Sequence, residues 1–150
     1  MKRLIELVLF ISLLLLTAKA YAACSVSTTA VNFGNYDSFV TTPLDTTGTI
    51  TVSCDTTPPV DVTIAISASS SSGLFNPRQM KHTTRPNLLN YNLYTKQNRT
   101  TVWGDGTGGT STVVVKGTRQ KNVTIYGSIP PRQNVPPGIY GDILTVTIIP

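Results

Sequence analysis

His82 is the single histidine in 150 residues, and six of the seven acidic residues are aspartates. A Ser-His-Asp triad would have to use His82, which stands between Lys81 and Thr83 in a long polar stretch and reads as a solvated loop residue. Glycoside hydrolysis needs two carboxyls flanking one bond, one of them held protonated. The six Asp lie mostly at turns, where bonding to nearby backbone accounts for them. No His, Cys, Asp or Glu residues cluster at the spacing of a metal site. The expectation is therefore a protein without catalytic residues, metal or cofactor.

Three other features invite a binding role. Gly104-Asp105-Gly106-Thr107-Gly108-Gly109 looks like a phosphate loop. It lacks the Gly-Lys-Ser/Thr ending and the following helix that make such loops anion sites, so it reads as a hairpin loop. Trp103, the only tryptophan, is either a packing residue or a sugar platform. Arg78, Lys81, His82 and Arg85 form a small basic cluster, read as a solvated loop face or as a contact for an anionic surface or matrix polymer. Arg78, Lys81, Arg85 and Trp103 are thus the candidate surface contacts. Asn98-Arg99-Thr100 and Asn122-Val123-Thr124 are glycosylation sequons, relevant only in a glycosylating host.

The N-terminus says where these residues operate. Met1-Lys2-Arg3 is basic, residues 4–16 are almost unbroken apolar sequence, and Ala18-Lys19-Ala20-Tyr21-Ala22 has small residues spaced for signal peptidase. Residues 1–22 read as a secretory signal peptide. Cleavage after Ala22 leaves Ala23-Cys24-Ser25 as the new terminus; cleavage after Ala20 is the alternative. The apolar run is shorter than the ~20 residues a spanning helix needs. A lipoprotein would use Cys24, but Tyr21 stands where a lipobox has Leu. No integral membrane segment is expected in the mature chain, residues 23–150.

Without Lys2, Arg3, Lys19 and Glu6 the balance is nine basic to six acidic residues. That charge is too diffuse for nucleic-acid binding. The absence of Glu from the mature chain, with abundant Thr, Val, Ile and Tyr, favours strands and turns over helices. Cys24 and Cys54 are the only cysteines, and export places them where disulfides persist. Cys24 opens the first strand and Cys54 closes the second. In an antiparallel pair those ends face each other, so a Cys24–Cys54 bridge is expected. It closes a loop of about 30 residues, a constraint of roughly 3–4 kcal/mol.

Period-2 alternation marks the elements. Ile50, Val52 and Cys54 alternate with Thr and Ser; Val60, Val62, Ile64 and Ile66 with Asp61, Thr63, Ala65 and Ser67; Leu89, Tyr91 and Leu93 with Asn90, Asn92 and Tyr94; Val123 and Ile125 with Asn122 and Thr124; and Leu144, Val146 and Ile148 with Thr145 and Thr147. A weaker strand at 112–116 suits a sheet edge. In the first strand Cys24 and Val26 share one phase while Val31 and Phe33 share the other. A break near 28–30 keeps both halves pointing inward and lets the strand pair with one sheet and then the other. Residues 69–87 read as a long polar connection. Nothing after residue 22 shows a 3.6-residue apolar stripe. Short strands punctuated by Pro and Gly turns predict one all-β domain, a two-sheet sandwich.

Several runs stand out together: Cys24-Ser25-Val26-Ser27, Val31-Asn32-Phe33-Gly34-Asn35-Tyr36-Asp37, Gly48-Thr49-Ile50-Thr51-Val52-Ser53-Cys54, Arg78-Gln79-Met80, Leu89-Asn90-Tyr91-Asn92-Leu93-Tyr94, Trp103-Gly104-Asp105-Gly106, Tyr126-Gly127-Ser128-Ile129-Pro130 and Pro137-Gly138-Ile139-Tyr140-Gly141-Asp142. In order and spacing the set resembles the spore coat protein U family, the subunit family of archaic chaperone–usher pili. The resemblance covers essentially the whole mature chain. It implies an incomplete immunoglobulin-like sandwich whose last strand is supplied in trans, first by a periplasmic pilus chaperone and then by a neighbouring subunit's donor strand at an outer-membrane usher. Leu144, Val146 and Ile148 are then the acceptor edge.

Polymerising subunits of that family carry a donor segment before the first cysteine. Cleavage after Ala22 leaves only Ala23 there, so a terminal, tip or coat-type surface role is expected rather than a shaft role. The alternative function is a free secreted β-sandwich that binds a surface polymer or glycan.

Overall fold

The computed structural model describes residues 24–150; the signal-peptide assignment, residues 1–22, lies outside the described residues. Among the described residues there are nine strands and no helix: β1 (Cys24–Thr28), β2 (Leu44–Cys54), β3 (Val60–Ile66), β4 (Arg78–His82), β5 (Leu88–Tyr94), β6 (Val113–Thr118), β7 (Gln120–Ile129), β8 (Tyr140–Gly141) and β9 (Val146–Ile149). They form a six-stranded sheet in the order β1-β2-β7-β5-β4-β8 and a three-stranded sheet in the order β6-β3-β9. All pairings are antiparallel. The all-β, two-sheet expectation is borne out.

An immunoglobulin-like sandwich arranges its strands A-B-E-D in one sheet and C-F-G in the other. Here β1, β2, β7 and β5 occupy the first order, and β3 and β9 take the places of C and F. On the side of β9 away from β3, where G would lie, the described residues place no strand.

Alternation builds the core. Ile50 and Val52 on β2, Val62, Ile64 and Ile66 on β3, and Ile125 on β7 are buried while their chain neighbours face outward or are half-buried, and β7 ends in a buried run through Ile129. Cys24 lies directly opposite Cys54 in the β1–β2 register, Cα atoms 4.1 Å apart, and their sulfurs are joined. The bridge fixes the first strand to the edge of the larger sheet.

Four expectations need correction. Residues 69–87 are not all connection, because β4 lies within them. Its inward phase is Arg78, Met80 and His82, so the basic cluster does not share one surface: Lys81 and Arg85 are exposed, Arg78 and His82 buried. The first strand does break after Thr28, but β1 pairs with β2 alone and residues 29–36 run without regular strand pairing. The glycine-rich segment is no strand-to-strand hairpin; it closes on a parallel bridge between Trp103 and Ser111.

Arg78 and Trp103 are fully buried and therefore not surface contacts. The Trp103 indole N–H donates to the Ile64 carbonyl at 3.0 Å. The Arg78 guanidinium donates to the carbonyls of Ser67 (2.8 Å) and Trp103 (2.7 Å) and to Asn92 Oδ1 (3.0 Å). The burial of so polar a group is tolerated because its donors gather carbonyls that ladder hydrogen bonds do not reach. Arg78→Met should therefore lower the urea midpoint strongly. Each buried carbonyl left without a partner costs about 1–3 kcal/mol. Arg78→Lys should rescue little, since an ammonium cannot reproduce the planar fork.

Candidate functional site

The open side of β9 borders an apolar groove. Across it runs the first chain segment, Thr28 through Phe33, with the stretch 140–146 opposite and Ile66, Met80, Tyr91, Leu93 and Ile125 as floor. This part encloses about 270 Å³. The groove then widens to about 710 Å³ between Val31, Phe33 and Tyr36 on one wall and residues 135–140 on the other, with Leu89 and Ile129 beneath.

The β9 ladder decides which backbone groups of this edge are paired. The Ser67 amide donates to the Thr145 carbonyl at 2.9 Å, which fixes the alternation of the β3–β9 ladder. Thr147 and Ile149 then exchange bonds with Ala65 and Thr63, while the N–H and C=O groups of Val146 and Ile148 turn to the open side. The β3 groups opposite them agree, because Ile66 N–H bonds Gly104 O and Ile64 O accepts from Trp103. Leu144, Val146 and Ile148 are half-buried side chains packed on the core, and Thr145, Thr147 and Ile149 face out. Val146 thus combines free backbone groups with a side chain that lines the groove, and Ile148 combines them with a side chain packed on the core.

The other edge of the small sheet is protected. On β6, Lys116 is exposed and pairs with Asp61 at 3.7 Å. Asp61 Oδ1 also accepts the Gly117 amide at 2.8 Å, at a register shift between Val60 and Val62. A bulge and a lysine are standard guards against strand addition. β9 has neither.

The wall at 29–36 is held without a ladder. Thr29 N–H donates to Thr49 O (2.9 Å), Thr49 N–H to Thr29 Oγ1 (2.8 Å), and Thr46 Oγ1–H to Asn32 O (2.9 Å). Val31 and Phe33 lie over Gly48 and Gly127. A Cβ at Gly127 would come within 2.9 Å of both side chains, so the close approach requires glycine there. Tyr36 ends the wall: its hydroxyl donates to Pro130 O (3.0 Å) and accepts from Gln133 N–H (2.7 Å).

The opposite wall is anchored by Asp142. Its Oδ1 accepts from Ser70 N–H, Ser70 Oγ–H and Ile143 N–H, and its Oδ2 accepts from the Tyr91 hydroxyl at 2.8 Å. Burial pushes the Tyr91 phenol well above the ordinary tyrosine range, and the bond to Asp142 adds to that shift. Burial pulls the Arg78 guanidinium the other way, with Tyr91 and Asp142 opposing it.

Of the three residues the alternation singles out at this edge, Leu144 and Val146 line the groove and Ile148 packs on the core; Tyr36, Asp142 and Tyr140 also line it, and sequence patterning does not find them. Their signal is conformational, a set of polar tips that tie loops, and no periodicity marks it. Asp105 accepts Thr107 N–H and Oγ–H in its own turn and is fully accounted for there. His82 bonds Thr84 N–H and Pro137 O, and it lies inside the fold rather than in a solvated loop.

Comparison with known proteins gives a consistent set. The profile of the Spore Coat Protein U domain matches residues 11–147. The chain is 31% identical over 143 residues to Protein U of Myxococcus xanthus, covering 87% of this chain and 79% of that one. Its fold is similar to a crystal structure of the CsuC–CsuE chaperone–tip adhesion subunit pre-assembly complex from archaic chaperone–usher Csu pili of Acinetobacter baumannii. The TM-score is 0.60 at 19% identity, over 85% of this chain. The chain spans 40% of the length of that relative.

The raised Tyr91 phenol has a testable consequence. In the unfolded chain tyrosine ionises near pH ~10. The folded chain holds Tyr91 neutral beyond that, so its contribution to stability is intact below about pH 10 and is lost as pH rises toward the folded value. Denaturant midpoints should fall on going from pH 9 to above 10, and Tyr91→Phe should make that fall shallower. An equal alkaline slope in the variant would contradict this.

Proposed function

Because the chain belongs to the Spore Coat Protein U domain family, we propose that it is an exported structural and adhesive surface subunit, assembled by the chaperone–usher route through donor-strand complementation. The observation that carries this reading is the unpaired edge of β9 beside an apolar groove, with the other edge of the same sheet guarded. A strand laid along β9 would pair with Val146 and Ile148 and place alternate side chains on the groove floor. That is strand addition, in which backbone bonds give affinity and alternate pockets give specificity. Leu144, Val146 and Ile148 are the acceptor residues.

A periplasmic chaperone supplies the strand first, and a neighbouring subunit's N-terminal segment replaces it at an outer-membrane usher. Residues 1–22 act as the export signal and residues 23–150 as the assembled domain at the cell surface, in a pilus or coat. Among the described residues no helix is long and apolar enough to cross a membrane. With cleavage after Ala22 the subunit accepts a strand and gives none, which suits a terminal, tip or coat position and an adhesive, biofilm-type role.

Leu144, Val146 and Ile148 are already half-buried, so covering the remainder contributes about 1 kcal/mol each, together a sizeable share of the ~5–15 kcal/mol of a typical domain. The mature chain alone should aggregate or be readily proteolysed. Co-expression with a periplasmic chaperone should yield a stable one-to-one complex, and an alternating apolar peptide should raise the melting temperature by many degrees. Val146→Asp should abolish both gains. A monomer that melts cooperatively at high temperature, unchanged by any donor, would instead support a self-complete glycan- or polymer-binding module.

A further inference from the structure

The wide end of the groove is bounded by residues 135–140, and behind that wall sits His82. Its ring is fully engaged. Nδ1 accepts the Thr84 amide at 3.1 Å, so Nδ1 carries no proton. Nε2 therefore carries it and donates to the Pro137 carbonyl at 3.2 Å. The ring meets Tyr140 edge-on, centroids 5.0 Å apart, and a Cβ at Gly138 would run into the imidazole. The Tyr140 hydroxyl closes the turn by donating to Pro136 O at 2.8 Å. The wall is thus folded around one neutral tautomer.

The groups facing the ring offer a second proton one long contact, the Thr84 hydroxyl 3.5 Å from Nδ1, and no carboxylate. From β8 comes Tyr140, and on its own strand and the turn after it come Lys81 and Arg85, the latter near Tyr140. The β5 side contributes the Asn87 carbonyl, which binds the His82 amide, and Leu88. Among the described residues no carboxylate bonds the imidazole. A second proton would sit on Nδ1, where it opposes the Thr84 N–H and removes that bond.

We infer that His82 is a positioning residue of the groove: as the neutral imidazole it holds the 136–140 wall against an inserted strand, and protonation at Nδ1 loosens the wall and weakens strand retention. This regulation rests on the strand-accepting reading of the groove. It is testable because His82 is the chain's only histidine, so one substitution removes the imidazole from the molecule.

The experiment measures dissociation of a histidine-free donor peptide from the mature chain at pH 7.5 and 5.5. Wild type should release the peptide about fivefold to tenfold faster at pH 5.5, the equivalent of roughly one hydrogen bond. His82→Gln, which keeps an acceptor for Thr84 and a donor for Pro137, should retain the peptide like wild type at pH 7.5 and show no pH dependence. His82→Phe should fill the space but release quickly at both values. A flat wild-type profile, or the same pH dependence in His82→Gln, overturns the inference. If no donor peptide binds at all, the groove reading fails separately. The wall is then followed by NMR on the free chain, where the amides of Thr84 and residues 137–141 must shift with the His82 titration. Shifts confined to the ring itself would overturn the role of His82.

Discussion

A strand lying over a hydrophobic core must have its backbone groups paired or wetted on both sides, because an unpaired buried peptide group is expensive. β9 meets that condition toward β3 and leaves it open on the other side, beside the apolar groove. The coincidence is geometric. In an antiparallel ladder the residues whose backbone faces away from one neighbour face the next, and strand alternation puts their side chains on one face. Val146 and Ile148 therefore present free backbone groups and half-covered side chains at once. Pairing a further strand there would satisfy both deficits in a single step.

The rest of the fold keeps that edge available. Residues 29–36 are drawn over Gly48 and Gly127 and tied at Tyr36, which holds them off β9 rather than letting them zip against it. Asp142 and Tyr91 fix the entry to β9, and Arg78 ties the ends of β3 and β4 to the loop at Trp103. The Cys24–Cys54 bridge secures β1 to β2 and so anchors the near wall. These are polar tethers and a covalent link around a core too thin to close its own groove.

Much of the architecture was legible in the sequence. Clean alternation around Ile50, Val62, Tyr91, Ile125 and Val146 marked five strands, and the positions of the two cysteines marked facing strand ends. The phase change between Val26 and Val31 marked the break in the first strand. β4 was hidden because two of its three inward positions are Arg78 and His82, whose polar ends are satisfied inside the fold. Pattern reading scores such residues as surface, and only three-dimensional placement of the accepting carbonyls reverses that. Trp103 was ambiguous for the same reason, since its partner, the Ile64 carbonyl, is remote in sequence. The groove's tethers were invisible because a tyrosine or aspartate that ties a loop looks like any other.

The central claim is that alternate amides of β9 wait for a partner strand, and residue-resolved hydrogen exchange tests it most directly. In the chaperone-held or peptide-bound subunit compared with the donor-free chain, the amides of Val146 and Ile148 should pass from fast exchange to strong protection. The amides of Thr147 and Ile149, already bonded to β3, should change far less. Equal protection of all four amides without a donor, or protection gained only at Thr147 and Ile149, would contradict the account.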